Sequence, residues 1–469
     1  MKHQESSLPI TLLDLFNNAL VLSHTSPHVG VQGLLSLAAT STAFRDLIFT
    51  RSHVFSHLDL TRIKSCLKLS PEIDECDPPE LSSISTDDYY ARPLRNIFSS
   101  LRTRNILQDV RTLVLDGLAV PLGLVREILC EEAYSIRILS LRYVKELGDE
   151  KLIQLLRYLI RPSRKEPPKL KGLYYFTPAR GDADYSAANL RRYQRQQQGG
   201  VTNSLGAQLG AGASSSGALH RELVQSCWHQ NNPWYGATRE VLRMEPEIAV
   251  QWASLIEACE GLIAFDAVLC RQHNNVLAHP EVGHVSTRST ETIYASRPCL
   301  ATISLSGCQK CGSSPEGPAC PGRSPEFQLP LLTPPPMHSS SVKAAQRLGT
   351  NGLPHPQFIA RCRQCLKDRW CESCNAWWCE SCYTIPKRRV LSILSPPSTD
   401  KENLQESIKS GARKRCYECG QQCQPCLQLT ERRCSTCRER YCKEHDAGCD
   451  AKNCAWCATG GRRTDMLDY

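Results

Sequence analysis

The sequence predicts an α/β protein with three kinds of region: a short helical segment, a domain in which strands and helices alternate, and small zinc-stabilised modules. Three observations predict this. Apolar residues in the first fifty positions recur at helical spacing, and a strand-like apolar pattern then returns six times before residue 306. Nineteen of the 26 cysteines lie from Cys308 onward. With 469 residues, the chain has room for two or three domains.

The helical segment covers residues 1–52. Leu12, Leu13, Phe16 and Leu20 fall on one helical face, and a second apolar run follows in LLSLAATSTAFRDLI. With its Leu-Pro start, this order resembles an F-box, although the loop VLSHTSPHVGVQG is longer than the family's usual link. The resemblance implies that the segment docks on the small F-box-binding subunit of a cullin ligase. The residues expected to contact that subunit are Leu8, Pro9, Leu12, Leu13, Phe16, Leu34, Leu35 and Phe44.

Residues 53–306 carry the alternation of strands and helices. The pattern apolar-x-x-apolar-x-apolar predicts six short strands, with helical stretches such as DEKLIQLLRYLI between them. The six copies end at Leu60, Leu115, Leu141, Tyr175, Ala267 and Leu305. A strand, a turn and a helix form the unit of a leucine-rich repeat, whose neighbours must stack to bury their apolar faces. The region therefore resembles an irregular leucine-rich-repeat domain.

The spacing of these strands is wider than leucine-rich repeats usually show. A segment rich in Gln, Gly and Ser, residues 183–218, lies in the longest gap, and we predict that it is a disordered insertion. An ordinary α/β domain with a parallel sheet gives the same alternation, so both interpretations stay open.

Clustered cysteines predict metal sites in the last third of the chain. The N-terminus lacks a signal peptide and no apolar run is long enough for a bilayer, so we expect a soluble protein of the nucleus and/or cytoplasm, where disulfides are rare. Eight C-x-x-C pairs occur from Cys308 onward, and this spacing aims two sulfurs at one tetrahedral zinc ion. The predicted ligands are Cys308, Cys311, Cys362, Cys365, Cys371, Cys374, Cys379, Cys382, Cys416, Cys419, Cys423, Cys426, Cys434, Cys437, Cys442, His445, Cys449, Cys454 and Cys457.

An internal repeat groups these ligands into two modules. The stretches CRQCLKDRWCESCNAWWCESC and CQPCLQLTERRCSTCRERYCKEH share an order of half-sites, and a further pair lies upstream of each. We predict module 1 at 307–384, with a disordered Pro-rich loop at 315–350, a linker at 385–414, and module 2 at 415–460. Two ions in each module give about four zinc ions.

The pairing of half-sites is left open by the sequence. His445 either completes the second module or forms a separate site with Cys449, Cys454 and Cys457. Aromatic residues such as Trp377 stand beside the ligands, and we expect them to pack over the metal sites.

The formal net charge of +9 is concentrated in the cysteine-rich part. From residue 305 onward, 24 Lys and Arg face 16 Asp and Glu. Fifteen thiolates and four Zn²⁺ would together add a negative charge of about seven, so the basic residues serve as counter-charge. This makes nucleic acid an unlikely partner, because such binding needs a net positive face.

The spacing C-x2-C-x4-C-x2-C resembles half of a RING or of an in-between-RING module, but the full RING order is absent. A ligase with a thioester intermediate would need a cysteine free of metal, and Cys320, Cys442 and Cys449 are the candidates. The chain as a whole is similar to fungal proteins with an F-box-like start and a WCESCN-type segment, named ubiquitin fusion degradation-like proteins.

These resemblances imply a substrate-recognition adaptor of a cullin-type (SCF) ubiquitin ligase, without catalytic residues of its own. The F-box would dock on the ligase, and the repeats and zinc modules would bind a protein substrate. Two alternatives stay open: a RING-like ligase that acts directly, and a zinc-dependent nucleic-acid or chromatin-binding protein.

Overall fold

The protein is described by a computed structural model. The described residues are 11–51, 53–61, 86–176, 234, 241–242, 244–271, 298–347 (apart from 306, 313, 315, 316 and 333), 359–383 and 411–458. They fall into two compact units. Unit 1 takes its residues from 1–269, 286–300 and 320–356, and unit 2 from 270–285, 301–319 and 357–469. In the part of the chain that the structure describes, no helix is long and apolar enough to cross a membrane.

Unit 1 begins with three helices that pack on one another: α1 (Leu12–Asn17), α2 (Ala19–Thr40) and α3 (Thr42–Thr50). Thr11 and Asp14 form a capping box at the start of α1, which satisfies the first free backbone N–H groups. The predicted long loop VLSHTSPHVGVQG is instead helical, with a kink at Gly30, whose φ of 72° interrupts the helix. The prediction of a loop was wrong because Leu22, Ser26 and Val31 of this segment are buried, and packing against the neighbouring helices stabilises the helical conformation.

A five-stranded parallel sheet forms the centre of unit 1. Its strands are β1 (His57–Asp59), β2 (Thr112–Val114), β3 (Ile138–Ser140), β4 (Gly172–Tyr174) and β5 (Ala264–Phe265), and their order in the sheet is their order in the chain. Five of the six predicted repeats supply these strands. Their central apolar residues are register partners and almost fully buried: Leu58, Leu113, Leu139, Leu173 and Phe265.

Helices follow the strands in sequence: α4 (Thr86–Thr103), α5 (Leu122–Cys130), α6 (Asp149–Ile160) and α7 (Pro246–Ala258). Helix α5 packs on α6 and α6 on α7, so successive crossovers lie side by side. Leu124, Ile128, Leu152 and Leu156 are buried at spacings of four residues on α5 and α6, which is the apolar stripe that the sequence predicted.

The Pro-rich segment is ordered between Cys320 and Arg347 and belongs to unit 1, which contradicts its prediction as a disordered loop of module 1. It contains a short 3₁₀ helix (Glu326–Gln328) and α8 (Val342–Ala345). Leu331 packs against Ile138 and Tyr174 of the sheet. The Pro-rich composition predicted disorder because prolines prevent regular backbone hydrogen bonding. An apolar segment that contains prolines can nevertheless pack over a sheet. We call residues 329–346 the strap.

Unit 2 contains short antiparallel pairs of strands. Strands β6 (Ile303–Leu305) and β7 (Ile359–Arg361) pair antiparallel, as do β8 (Ala412–Cys416) with β9 (Gly420–Cys423), and β10 (Glu431–Arg433) with β11 (Arg440–Cys442). Two short helices, α9 (Gln424–Thr430) and α10 (Ala455–Ala458), complete it. The sixth predicted repeat is therefore wrong as a strand of the parallel sheet, because the apolar partner of β6 is β7.

Candidate metal centres

Four groups of four ligand residues converge in unit 2, and each could hold one metal ion. Within a group, the ligand atoms all lie within 4.8 Å of one another. Group 1 is Cys308, Cys311, Cys379 and Cys382; group 2 is Cys371, Cys374, Cys423 and Cys426; group 3 is Cys416, Cys419, Cys442 and His445; group 4 is Cys434, Cys437, Cys454 and Cys457.

The sulfur separations fit a tetrahedral zinc ion. Zinc–sulfur bonds of about 2.3 Å at tetrahedral angles place two sulfurs about 3.8 Å apart. In each all-cysteine group, one pair of sulfurs from different half-sites is about this far apart. The distances are 3.6 Å for Cys311–Cys379, 3.5 Å for Cys374–Cys423 and 3.8 Å for Cys437–Cys454. Cysteine donors alone or with one histidine are the set that structural zinc sites use.

The histidine of group 3 is oriented for coordination through Nδ1. This atom lies 3.1 Å from Cys419 Sγ and 3.5 Å from Cys442 Sγ. The other ring nitrogen, Nε2, lies 3.4 Å from a carboxylate oxygen of Glu418. A carboxylate at this position favours the tautomer that leaves Nδ1 free for the metal, so His445 and Glu418 have the arrangement of a zinc ligand and its supporting partner.

One half-site of each group has the same local backbone conformation. The residue after the second cysteine has a positive φ in one half-site of each group: Gly312, Asn375, Gly420 and Arg438. A left-handed residue at this position turns the chain sharply directly after the second cysteine. At Gly420 a Cβ would lie 2.5 Å from the Glu372 carboxylate, so a larger residue would displace that side chain.

Backbone N–H groups favour the thiolate form that metal binding requires. Burial raises the pKa of Cys308, but backbone N–H groups of Cys311, Cys379 and Lys310 outweigh burial and bring the pKa down to about 7. The amide of Cys379 lies 3.3 Å from the Cys308 sulfur. Hydrogen bonds to the charged form stabilise it, so this sulfur is prepared to bind a cation.

Aromatic side chains pack over the first two groups, as the sequence predicted. Trp370 and Trp377 are buried in one cluster with Cys308 and Cys379. Trp378 packs against the cluster that contains three ligands of group 2, namely Cys371, Cys423 and Cys426. Trp456, by contrast, is 59% exposed.

The groups interlock along the chain. Group 1 spans 308–382, group 2 spans 371–426, group 3 spans 416–445 and group 4 spans 434–457, so each range overlaps the next. Group 2 takes one half-site from each predicted module. This differs from the sequence prediction, which placed two independent modules on either side of a linker at 385–414.

Hydrogen bonds outside the ligands also join the two predicted modules. The Ala412 amide donates to the Asp368 carbonyl at 2.9 Å, and the Glu372 amide donates to the Gln421 carbonyl at 2.8 Å. The Gln422 side chain donates to Ser373 Oγ at 2.9 Å. Unit 2 is therefore one body, in which the ligands of group 2 are held by backbone contacts on both sides.

Three predicted ligands lie outside the four groups. Cys362 and Cys365 converge on Cys270, one of the cysteines scattered singly before residue 308. Cys449 belongs to no group among the described residues, and the same holds for Cys320. The sequence pattern could not identify Cys270 as a ligand, because the cysteine that it contacts, Cys365, lies 95 positions further along the chain.

The N-terminal contact residues divide by exposure. Leu12 is 50% and Leu35 36% exposed, whereas Phe16 and Leu34 are buried at 8% and 3%. Leu13 and Phe44 are half-buried, and Leu8 and Pro9 lie outside the described residues. Leu15 was not among the predicted contacts, and Leu20 was predicted on the same face as Phe16, yet these two leucines are 46% and 72% exposed.

Comparison with known proteins places the chain in no family. No family model matches the sequence, and no curated protein matches it.

Proposed function

We propose that the protein is a substrate-recognition adaptor of a cullin-type ubiquitin ligase, docked through its N-terminal helices. The observation that carries this proposal is the apolar surface of α1 and the start of α2. Leu12, Leu15 and Leu20 are 50%, 46% and 72% exposed. Leu12 and Leu15 share one face of α1, since residues three apart lie on the same side of a helix. Exposed apolar groups on adjacent helices favour a protein partner.

Burial refines which residues make the contact. Phe16 and Leu34 are buried, so we assign them to the core of the three helices and no longer to the partner surface. The docking surface that we propose therefore consists of Leu12, Leu15 and Leu20, with Leu35 as a further candidate.

The sheet of unit 1 supports the second half of the proposal. Its strands follow one another in chain order, all parallel, with equivalent leucines in register. A doubly wound sheet would have a reversal of strand order, and none occurs among the five described strands. The sequential order favours a leucine-rich-repeat-like stack, an architecture whose extended surfaces bind proteins.

The experiment is a binding measurement between the full chain and the purified small F-box-binding subunit. The double variant Leu12→Ser with Leu15→Ser should bind at least about tenfold more weakly, because it removes two apolar side chains that the partner would bury. Both residues are exposed, so folding should be preserved.

The matched control is Tyr158→Ser with Val250→Ser, which removes apolar side chains of similar exposure, 44% and 50%, from other helices of unit 1. This variant should bind normally. Equal affinities for wild type and the Leu12/Leu15 variant, or no binding by the wild type, would reject the adaptor proposal.

One observation favours a second candidate, a RING-like ligase that acts directly. In groups 1 and 2, the first half-site pairs with the third and the second with the fourth, if the intervening pairs Cys362/Cys365 and Cys416/Cys419 are set aside. This crossed pairing is the zinc-binding order of RING domains. Because a fold alone does not establish activity, the test is ubiquitin transfer with purified E1 and E2 and no cullin. If ubiquitin transfer does not increase when this protein is added, the direct-ligase candidate is rejected.

A further inference from the structure

We propose that Cys270, Cys362 and Cys365 hold a fifth zinc ion, independent of whether the adaptor proposal is right. The three sulfurs lie within 4.8 Å of one another in unit 2. Cys270 is fully buried and Cys362 is 3% exposed, while Cys365 is partly accessible. Three soft thiolate donors that converge in this way are the chemistry that selects zinc among the common divalent ions.

The geometry of this group matches that of the four-ligand groups. Cys270 Sγ and Cys365 Sγ are 3.7 Å apart, which is the edge length of a zinc–sulfur tetrahedron and the separation found in groups 1, 2 and 4. The Cys365 amide donates to the Cys362 sulfur at 3.5 Å, and in group 1 the Cys311 amide donates to the Cys308 sulfur at the same spacing along the chain. Cys362 and Cys365 thus form the same half-site as the pairs in the other groups.

Charge around the group also favours a bound ion. Three thiolates and one Zn²⁺ carry a net negative charge, which a nearby cation would offset. The Arg369 guanidinium donates to the Cys365 carbonyl and is 10% exposed, and it lies 3.9 Å from the half-exposed carboxylate of Glu380. A buried cation that donates to the backbone of the Cys362/Cys365 half-site is placed to offset the charge of an anionic metal centre there.

A disulfide and simple core packing both account for this group less well. A disulfide needs sulfurs about 2.05 Å apart, far closer than Cys270 and Cys365 lie. Cys259, just after α7, is an example of a cysteine that only packs in the core. It is also fully buried, but it belongs to no such group in the described part of the chain. Cysteines that serve only as small apolar residues have no reason to collect at the spacing of metal ligands.

A tetrahedral ion needs a fourth donor. In the sequence, His273 follows Cys270 at the spacing at which His445 follows Cys442. His273 lies outside the described residues, so the proposed site rests on the three thiols alone.

The experiment counts zinc ions by native mass spectrometry and elemental analysis of the full chain purified under reducing conditions. The wild type should carry five ions. Cys270→Ser should carry four, the double variant Cys362→Ser with Cys365→Ser should also carry four, and the triple variant should still carry four. This non-additivity is expected because all three residues bind the same ion.

Two further variants separate ligand loss from misfolding. Cys130→Ser, a partly buried cysteine of unit 1, should keep five ions. Cys270→His replaces one zinc ligand by another and should also keep five, whereas a position that only needs a small apolar residue would not tolerate the larger ring. Four ions in the wild type, an unchanged count in Cys270→Ser, fewer than five in Cys270→His, or a Cys270–Cys365 disulfide would each overturn the proposal.

Discussion

Asp116 and Arg142 form a buried ion pair at the carboxyl ends of β2 and β3. Their side chains are 7% and 5% exposed, and Asp116 Oδ2 lies 2.5 Å from Arg142 Nη2. Asp116 Oδ1 also accepts hydrogen bonds from the Ser140 hydroxyl and the Arg142 amide, at 2.6 and 3.0 Å. The carboxylate thereby satisfies backbone and side-chain donors at the end of the neighbouring strand, and the pair links β2 to β3.

Asp116→Ala should lower the free energy of unfolding by about 3–5 kcal/mol, because the arginine charge stays buried without its partner. Urea unfolding measures the change in free energy, and hydrogen exchange of the amides in β2 and β3 shows where the protection is lost. Lys343→Ala is the control: it breaks an ion pair with Glu326 whose side chains are 74% and 53% exposed. Exposed pairs contribute less than about 1 kcal/mol. Equal losses in the two variants would show that the buried pair adds nothing specific.

Glu418 tests the assignment of His445 as a ligand. Its carboxylate lies 3.4 Å from His445 Nε2, on the side of the ring away from the sulfurs. Glu418→Gln should weaken zinc binding at group 3 about tenfold, because loss of a supporting carboxylate typically costs ten- to a hundredfold in metal affinity. Competition with a chromogenic chelator measures this, and Glu444→Gln is the control. The same affinity in both variants would argue against coordination through Nδ1.

At the scale of elements, the strap decides which face of the sheet is accessible. Successive side chains of a strand point to opposite faces. Ile138, Gly172 and Tyr174 therefore share the face that Leu331 covers. The Tyr174 hydroxyl donates to the Leu332 carbonyl at 2.6 Å, and the Leu331 amide donates to the Phe265 carbonyl at 2.8 Å. Part of the sheet surface is thus occupied by the chain itself.

Leu331→Ala should loosen the strap, because a fully buried leucine contributes roughly 2–5 kcal/mol through its packing. The amides of Leu332 and Gln346, which bond to Ala345 and Val342, should exchange hydrogen faster, while β1 and β2 stay protected. Phe327→Ala, at a side chain 48% exposed in the 3₁₀ helix just before the strap, should leave the exchange unchanged. If both variants behave alike, Leu331 does not anchor the strap.

At the scale of the whole molecule, the interlocked metal groups make unit 2 a single folding unit. Group 2 joins residues before 384 to residues after 410. If a specific protease site is inserted between residues 395 and 396, the two fragments should stay associated after cleavage. They should separate when a strong chelator removes zinc, because metal binding supplies much of the folding free energy of such modules. Size-exclusion chromatography measures this directly.

Matched variants of the cleavable chain identify the group responsible. Cys423→Ser with Cys426→Ser removes half of group 2 and should let the fragments separate even with zinc present. Cys434→Ser with Cys437→Ser removes half of group 4, which lies wholly in the C-terminal fragment, and should keep them together. The reverse pattern would support two independent modules as predicted from the internal repeat.

The local sequence pattern alone was enough to predict the positions of the parallel strands and of the C-x-x-C half-sites. The apolar-x-x-apolar-x-apolar motif located the five parallel strands, because a short apolar run bounded by turn residues is a property of a few consecutive residues. The C-x-x-C spacing located the half-sites for the same reason, since a turn of four residues aims both sulfurs at one point. Both features are contained in short stretches that fold the same way wherever they lie.

Only the tertiary structure decided which distant stretches meet. It paired Cys371 and Cys374 with Cys423 and Cys426 across the predicted linker, gathered Cys270 with Cys362 and Cys365, and laid the strap on the sheet. It also buried Phe16 and Leu34 while leaving Leu15 exposed on the same helices. The physical reason is that half-sites with the same spacing are chemically equivalent. Their partners are therefore chosen by the packing and hydrogen bonds of the chain around them, which no local pattern encodes.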